Sequence, residues 1–153
     1  MKKRIYQSAF GWLFIASALI ISCNDDDDKQ STTLYERLGE VEAISAVVDQ
    51  FLANVASDNR INSRFTATVA NESRLMLLRN NLIDQICQGT GGPCVYKGKT
   101  MLETHTGMNI TSQEFSALVE DLVMALDEFD VPEKEKTELL NILGPMQTDI
   151  VGK

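Results

Sequence analysis

Four stretches of this chain carry apolar residues at three- and four-residue intervals, and that spacing dictates helices. In the first, Val41, Ile44, Val47, Val48, Phe51, Leu52 and Val55 fall on one helical face. A second stripe runs through Leu75, Leu78, Leu82 and Ile86, with Asn71 or Ser73 as its N-cap. It must stop at the GTGGP run of residues 89–93, where glycines and then a proline cannot continue a helix. The third follows Thr111-Ser112-Gln113-Glu114, spaced as a capping box, and continues through Phe115, Leu118, Val119, Leu122, Leu126 and Phe129. The fourth opens at Pro132, a favoured first-turn residue, with Glu133 and Glu135 at the positive helix end. Leu139, Leu140, Ile142 and Leu143 form its buried side until Gly144-Pro145 kinks or ends it. From Ser31 onward there is no alternating strand pattern, no internal repeat and no second domain boundary. Four amphipathic helices can bury their stripes only on one another, so the fold class is all-α, packed as a bundle or a helical sandwich.

Between the second and third stripes, Cys94 to Ile110 has weak periodicity and reads as a short helical turn inside an irregular segment. In it sits His105, the one histidine of 153 residues. A single imidazole excludes every site that needs two, and a Ser-His-Asp or Cys-His mechanism could run only through this residue. A hydrogen-bonded core or surface histidine is the plainest reading. Met101 and Ile110 nearby suit a pocket wall, however. One imidazole without clustered carboxylates is wrong for structural zinc, which takes four protein ligands. It is right for a haem iron, where one proximal histidine suffices. The balance of 14 basic against 22 acidic residues, net −8, argues against nucleic acid and against adsorption to anionic lipid.

The chain opens differently. Lys2, Lys3 and Arg4 precede an apolar run from Ala9 to Ile21, shorter than the ~20 residues a spanning helix needs. A basic start and a short apolar middle describe a secretory signal peptide. The ending Ile20-Ile21-Ser22-Cys23 resembles the lipobox of bacterial lipoproteins. That resemblance implies a signal peptide over 1–22, cleavage before Cys23 and lipid on its sulfur. The product would be anchored to a bacterial membrane on the periplasmic side or the cell surface. Asn24-Asp25-Asp26-Asp27-Asp28 looks like the acidic tether of Bacteroidetes surface lipoproteins, here residues 23–32, and four adjacent carboxylates stay solvated on any reading. Lipidation leaves two cysteines, Cys87 and Cys94. An oxidising compartment permits a disulfide between them, and spacing alone leaves that and two free thiols both open.

Residues 33–151 carry a second resemblance. Leu34-Tyr35-Glu36-Arg37-Leu38-Gly39 looks like the LYERLGG opening of the group 1 truncated haemoglobins. Val47-Val48-Asp49-Gln50-Phe51 is similar to their first long helix, and Asp58 to Phe65 to a turn ending in a phenylalanine packed on haem. Gly91-Gly92-Pro93 with Tyr96-Lys97-Gly98-Lys99 resembles their entry to the proximal segment. Met101 to Thr111 is similar to M-x-x-x-H-x-G-x-G-I-T, Phe115 falls at a haem-contacting phenylalanine, and Val131-Pro132-Glu133 resembles the start of their last helix. The resemblance implies a two-on-two globin sandwich around haem b, with His105 as the iron ligand and Phe65 wedging the porphyrin. Met101, Ile110 and Phe115 would line the haem face, with Leu78, Leu82, Ile86, Leu118 and Leu122 as further walls. Each of these taken singly also reads as plain helix core. Tyr96 and Lys99 join the set from the entry segment, Lys99 through a propionate ion pair or simply as a solvated lysine.

Two departures from the pattern bear on function. Where the family carries a tyrosine after the residue matching Phe51, this chain has Leu52, which cannot donate a hydrogen bond to a bound gas. The stretch from Phe65 to Leu82 is also longer than the family spacing. If the GGP run sets the register, Leu78 and Leu82 face the iron and Gln85 is the nearest amide, either a donor or an exposed helix glutamine. The reading is a haem protein that reversibly binds oxygen or another diatomic ligand, rather than an enzyme. Turnover of nitric oxide or peroxide is the first alternative and needs an outside reductase, since no flavin or nicotinamide motif is present. A haem-free helical lipoprotein serving as an interaction module is the second.

Overall fold

A computed structural model describes residues 32–153; residues 1–22, read above as a signal peptide, Cys23 and the Asp25–Asp28 run lie outside the described residues. The described residues form α1 (Leu34–Arg37), α2 (Glu40–Ser57), α3 (Thr66–Val69), α4 (Glu72–Gly89), α5 (Met101–His105), α6 (Ser112–Glu128) and α7 (Glu133–Leu143). Short 3-10 turns at Asn62–Arg64 and Gly144–Asp149 complete them.

Caps explain most of the boundaries. Asn71, rather than Ser73, starts α4, its side chain accepting from the Arg74 N–H at 3.0 Å. Thr111 and Glu114 form the reciprocal box that opens α6, and Thr33 with Glu36 does the same for α1. Pro132 is extended and stands just outside α7 as its N-cap, one position earlier than the first-turn placement its residue type suggests. At the other end α7 stops at Leu143 with Gly144 as its C-cap, as Gly144-Pro145 dictates, and the chain tightens there into the 3-10 turn that carries it past α5.

α2 packs against both α4 and α6, and α1 docks on α2 and α7. Small side chains permit the α2–α6 approach: Val48 and Ala125 have no exposed surface, and Val55, Leu126 and Leu139 are buried around them. Arg37 joins α1 to α7, donating to Glu135 at 3.0 Å and pairing with Glu138. Its guanidinium holds the Glu135 carboxyl below the usual carboxylate range. The ends of the predicted stripes lie outside the core, with Val41 and Phe129 exposed.

The second stripe divides more sharply. Ile83, Ile86 and Cys87 are buried, whereas Leu75, Leu78 and Leu82 are only half-buried. Leu52, Phe115 and Leu118 on α2 and α6 are half-buried as well. All of these half-buried side chains but Leu75 line a cleft, and that cleft is the reason a regular helical stripe fails to close over.

Candidate functional site

α5 is only five residues long, too short to be stable by propensity, and it is built at its ends. Thr100 opens it with a capping box, the Glu103 N–H donating to Thr100 Oγ1 at 3.2 Å and the Thr100 N–H to Glu103 Oε2 at 3.0 Å. His105 is its last residue. Gly107 (φ 85°) and Asn109 (φ 50°) then turn the chain through left-handed conformations. Asn109 stands where the truncated haemoglobin motif has its second glycine, and asparagine is among the few residues that adopt this conformation readily. The chain's end closes on this turn: the Asn109 N–H donates to the Lys153 carbonyl at 2.6 Å, and the Gly152 N–H to the Ile110 carbonyl at 2.9 Å.

The imidazole is half-buried, with Nδ1 2.7 Å from the Met101 carbonyl oxygen. A carbonyl only accepts, so Nδ1 carries the proton and donates it. In the neutral ring Nε2 then keeps its lone pair, the tautomer a metal ligand requires, and the carbonyl partner fixes the ring.

His105 stands where two lobes of one cleft meet. The larger has a volume of about 710 Å³ and the smaller about 350 Å³, both within the ~300–1,000 Å³ typical of small-molecule sites. The residues that the sequence singled out for the site all line it. Phe65, Leu78, His105 and Phe115 face both lobes. Leu52, Leu82, Ile86, Tyr96, Lys99 and Met101 line the larger, and Ile110 the smaller. Leu118 also borders both lobes and Leu122 the larger. Thus α2 and α6 supply the floor, α4 one wall, and α5 with residues 96–99 the other.

Polar groups are few. The positions flanking α4's inner face are aliphatic, and Leu52 adds no donor. Gln85 is not the exposed helix glutamine of the plainer reading: it is half-buried in the cleft, its amide 3.6 Å from Met101 Sδ and 3.4 Å from Met146 Sδ. Asn81, which no sequence signal singled out, lines both lobes one turn earlier. At the mouth of the smaller lobe Arg64 donates to Glu114 at 2.7 Å and to the Met108 carbonyl at 2.9 Å. That guanidinium, with the Thr111 N–H, pulls the Glu114 carboxyl down to about 2. Lys97 and Lys99 border the larger lobe.

Residues 33–151 match the family model described as bacterial-like globin. The chain belongs to the bacterial-like globin family. A group 1 truncated hemoglobin of Tetrahymena pyriformis is 32% identical over 121 residues, covering 79% of this chain and 96% of that protein. The crystal structure of the Fe(III) form of a truncated hemoglobin from the same organism superposes with a TM-score of 0.72 at 32% identity, over 80% of this chain and all of the other. The 2/2 hemoglobin of a Synechococcus species, solved in the cyanomet state with covalently attached heme, gives 0.71 at 26% identity over 78% and 98% of the two chains. The fold is therefore the two-on-two globin sandwich.

Haem is the cofactor of this globin, and the residues present fit it. Among the described residues no three His, Cys, Asp or Glu side chains converge on a metal position. The single imidazole of His105 would hold an iron only as part of a macrocycle, and the apolar lining suits a porphyrin face.

Proposed function

We propose that His105 ligates the haem iron through Nε2 and that this globin reversibly binds oxygen outside the cytoplasm. Haem and diatomic-ligand binding follow from membership of the family; the residue roles, the ligand and the location are the further reading. The observation that carries it is the His105 ring, held by Met101 O in the one tautomer that leaves Nε2 free, at the junction of two apolar lobes. When bound, ferrous haem supplies the centre to which a diatomic gas attaches. The chain's own residues do the rest. Met101, Phe65 and Phe115 hold the face and exclude water, Leu78 and Leu82 form the opposite wall, and Lys99, which borders the larger lobe, would pair with a propionate.

Oxygen binding is tested by cycling. Ferrous protein equilibrated with oxygen and then with argon should return its deoxy spectrum through several cycles. Repeated consumption of nitric oxide with a supplied reductant, instead of one stoichiometric turnover, would replace this reading by an enzymatic one. A thermal melt unmoved by hemin would favour the haem-free module, because a ligand specific to the folded state must stabilise it.

The Ile20-Ile21-Ser22-Cys23 sequence supports a lipid anchor on Cys23. Cells fed radiolabelled palmitate should label the chain, and Cys23→Ala should abolish the label and release the protein from membranes. Equal labelling of both would end the proposal.

A further inference from the structure

Cys87 and Cys94 are bridged, with their α-carbons 5.7 Å apart. The bridge joins the two walls of the cleft. Cys87 lies one residue beyond Ile86 on α4 and is fully buried, and Cys94 begins the segment that becomes the opposite wall. Six residues beyond Cys94, Thr100 caps the helix that ends in His105.

Little else holds that segment. Among the described residues no backbone–backbone hydrogen bond ties residues 93–99 to the rest of the chain. The Tyr96 N–H donates to Gln88 Oε1 at 2.6 Å, and the Tyr96 hydroxyl donates to the Lys99 carbonyl at 2.8 Å. Gly98 lies so close under the Tyr96 ring that a β-carbon there would overlap it. Residues 96–99 are thus a preformed loop that lines the cleft, fastened to α4 by the Cys87–Cys94 bond, by the Cys94 N–H donating to Cys87 Sγ at 3.3 Å, and by the Gln88 side chain.

We infer that the Cys87–Cys94 disulfide is a latch that couples haem retention to thiol redox state, so that a dithiol reductant makes the protein release its haem. The inference rests on the haem reading above. Reduction breaks the S–S bond and forms two S–H bonds, consuming two electrons and two protons from the dithiol, which itself closes to a disulfide. The freed sulfurs move apart to a non-bonded separation of roughly 3.5–4 Å. The loop bearing Tyr96, Lys97 and Lys99 then leaves α4, and with it the start of the helix that orients His105. In an oxidising compartment the latch stays shut. Contact with a reducing partner opens it.

The test uses the full chain loaded with hemin and follows haem transfer to an excess of apomyoglobin by the Soret change. Three samples are compared: oxidised protein, protein reduced with a phosphine and alkylated, and Cys94→Ala, which leaves the buried Cys87 in place. Haem loss at least tenfold faster in the second and third, with unchanged far-ultraviolet circular dichroism of the haem-free forms, is the expected result. Phosphine treatment of Cys94→Ala should add nothing. Should that variant misfold, the reduced wild type against the oxidised one still decides the matter. Equal loss rates in oxidised and reduced protein would overturn the latch and leave the haem reading standing. Failure of the oxidised protein to take up hemin would overturn both.

Discussion

Replacing His105 with glycine should give a protein that still takes up hemin but holds it without its axial ligand. Two contributions retain the group, and this variant separates them. The half-exposed leucines, phenylalanines and Met101 around the cleft lose contact with water when it is filled. At ~25 cal/mol per Å², each 100 Å² so covered contributes about 2.5 kcal/mol, and glycine at position 105 leaves that term intact. The proposed imidazole–iron bond would be lost outright. Haem transfer to apomyoglobin should therefore quicken by roughly a hundredfold or more, beyond the 10–100-fold that loss of an outer partner alone costs a metal. The ferrous carbon monoxide spectrum should move away from that of a histidine-ligated haem. Free imidazole should reverse both effects, because the deleted side chain leaves room for it beside the Met101 carbonyl. A glycine variant with unaltered spectrum and loss rate would place the iron ligand elsewhere.

Leu52→Tyr is expected to slow oxygen dissociation by about 10–100-fold. A hydrogen bond to an acceptor that bears charge contributes about 1.5–3 kcal/mol net, and each 1.4 kcal/mol is roughly tenfold. Leu52 is half-buried on α2 and opens onto the larger lobe, which has space for a ring. Carbon monoxide, which carries little charge when bound, should dissociate at nearly the same rate as before. Leu52→Phe adds the ring without the hydroxyl and should leave oxygen dissociation close to wild type. If Phe slows oxygen as much as Tyr does, the effect is one of access. If neither slows it, position 52 does not face the ligand. With leucines at 52, 78 and 82, the wild-type chain is expected to release oxygen faster than Leu52→Tyr does, which the same dissociation measurement reads.

The parts of this molecule that could be read in advance are those where local chemistry acts alone. Thr111 and Glu114 cap α6 by themselves, and the glycines before Pro93 end α4 whatever packs nearby. The long stripes gave the helices but not their depth. Leu78 and Leu82 have the spacing of core residues, and only the packing of α2, α4 and α6 leaves them facing a cleft instead of one another. α1, α3 and α5 are four, four and five residues long, below the length at which a period can be recognised. The capping boxes that open two of them, Thr33 with Glu36 and Thr100 with Glu103, have the same spacing as Thr111 with Glu114 but precede no apolar stripe, and so do not stand out in the sequence. Asn81 gave no signal, because an asparagine next to Arg79 and Asn80 in the sequence has the composition of any exposed helix position. The disulfide was open for a different reason: seven residues of separation say nothing of where two sulfurs point, and only the return of the chain over α4 brings them together.

The most direct test of the account is a titration of the folded chain with hemin, followed by dithionite and carbon monoxide. One equivalent of haem, a sharp Soret band and a further sharpening shift under carbon monoxide are expected, with His105→Ala losing that signature. A broad band that never saturates, identical in the two proteins, would mean that the cleft between α4 and α5 does not hold haem through His105.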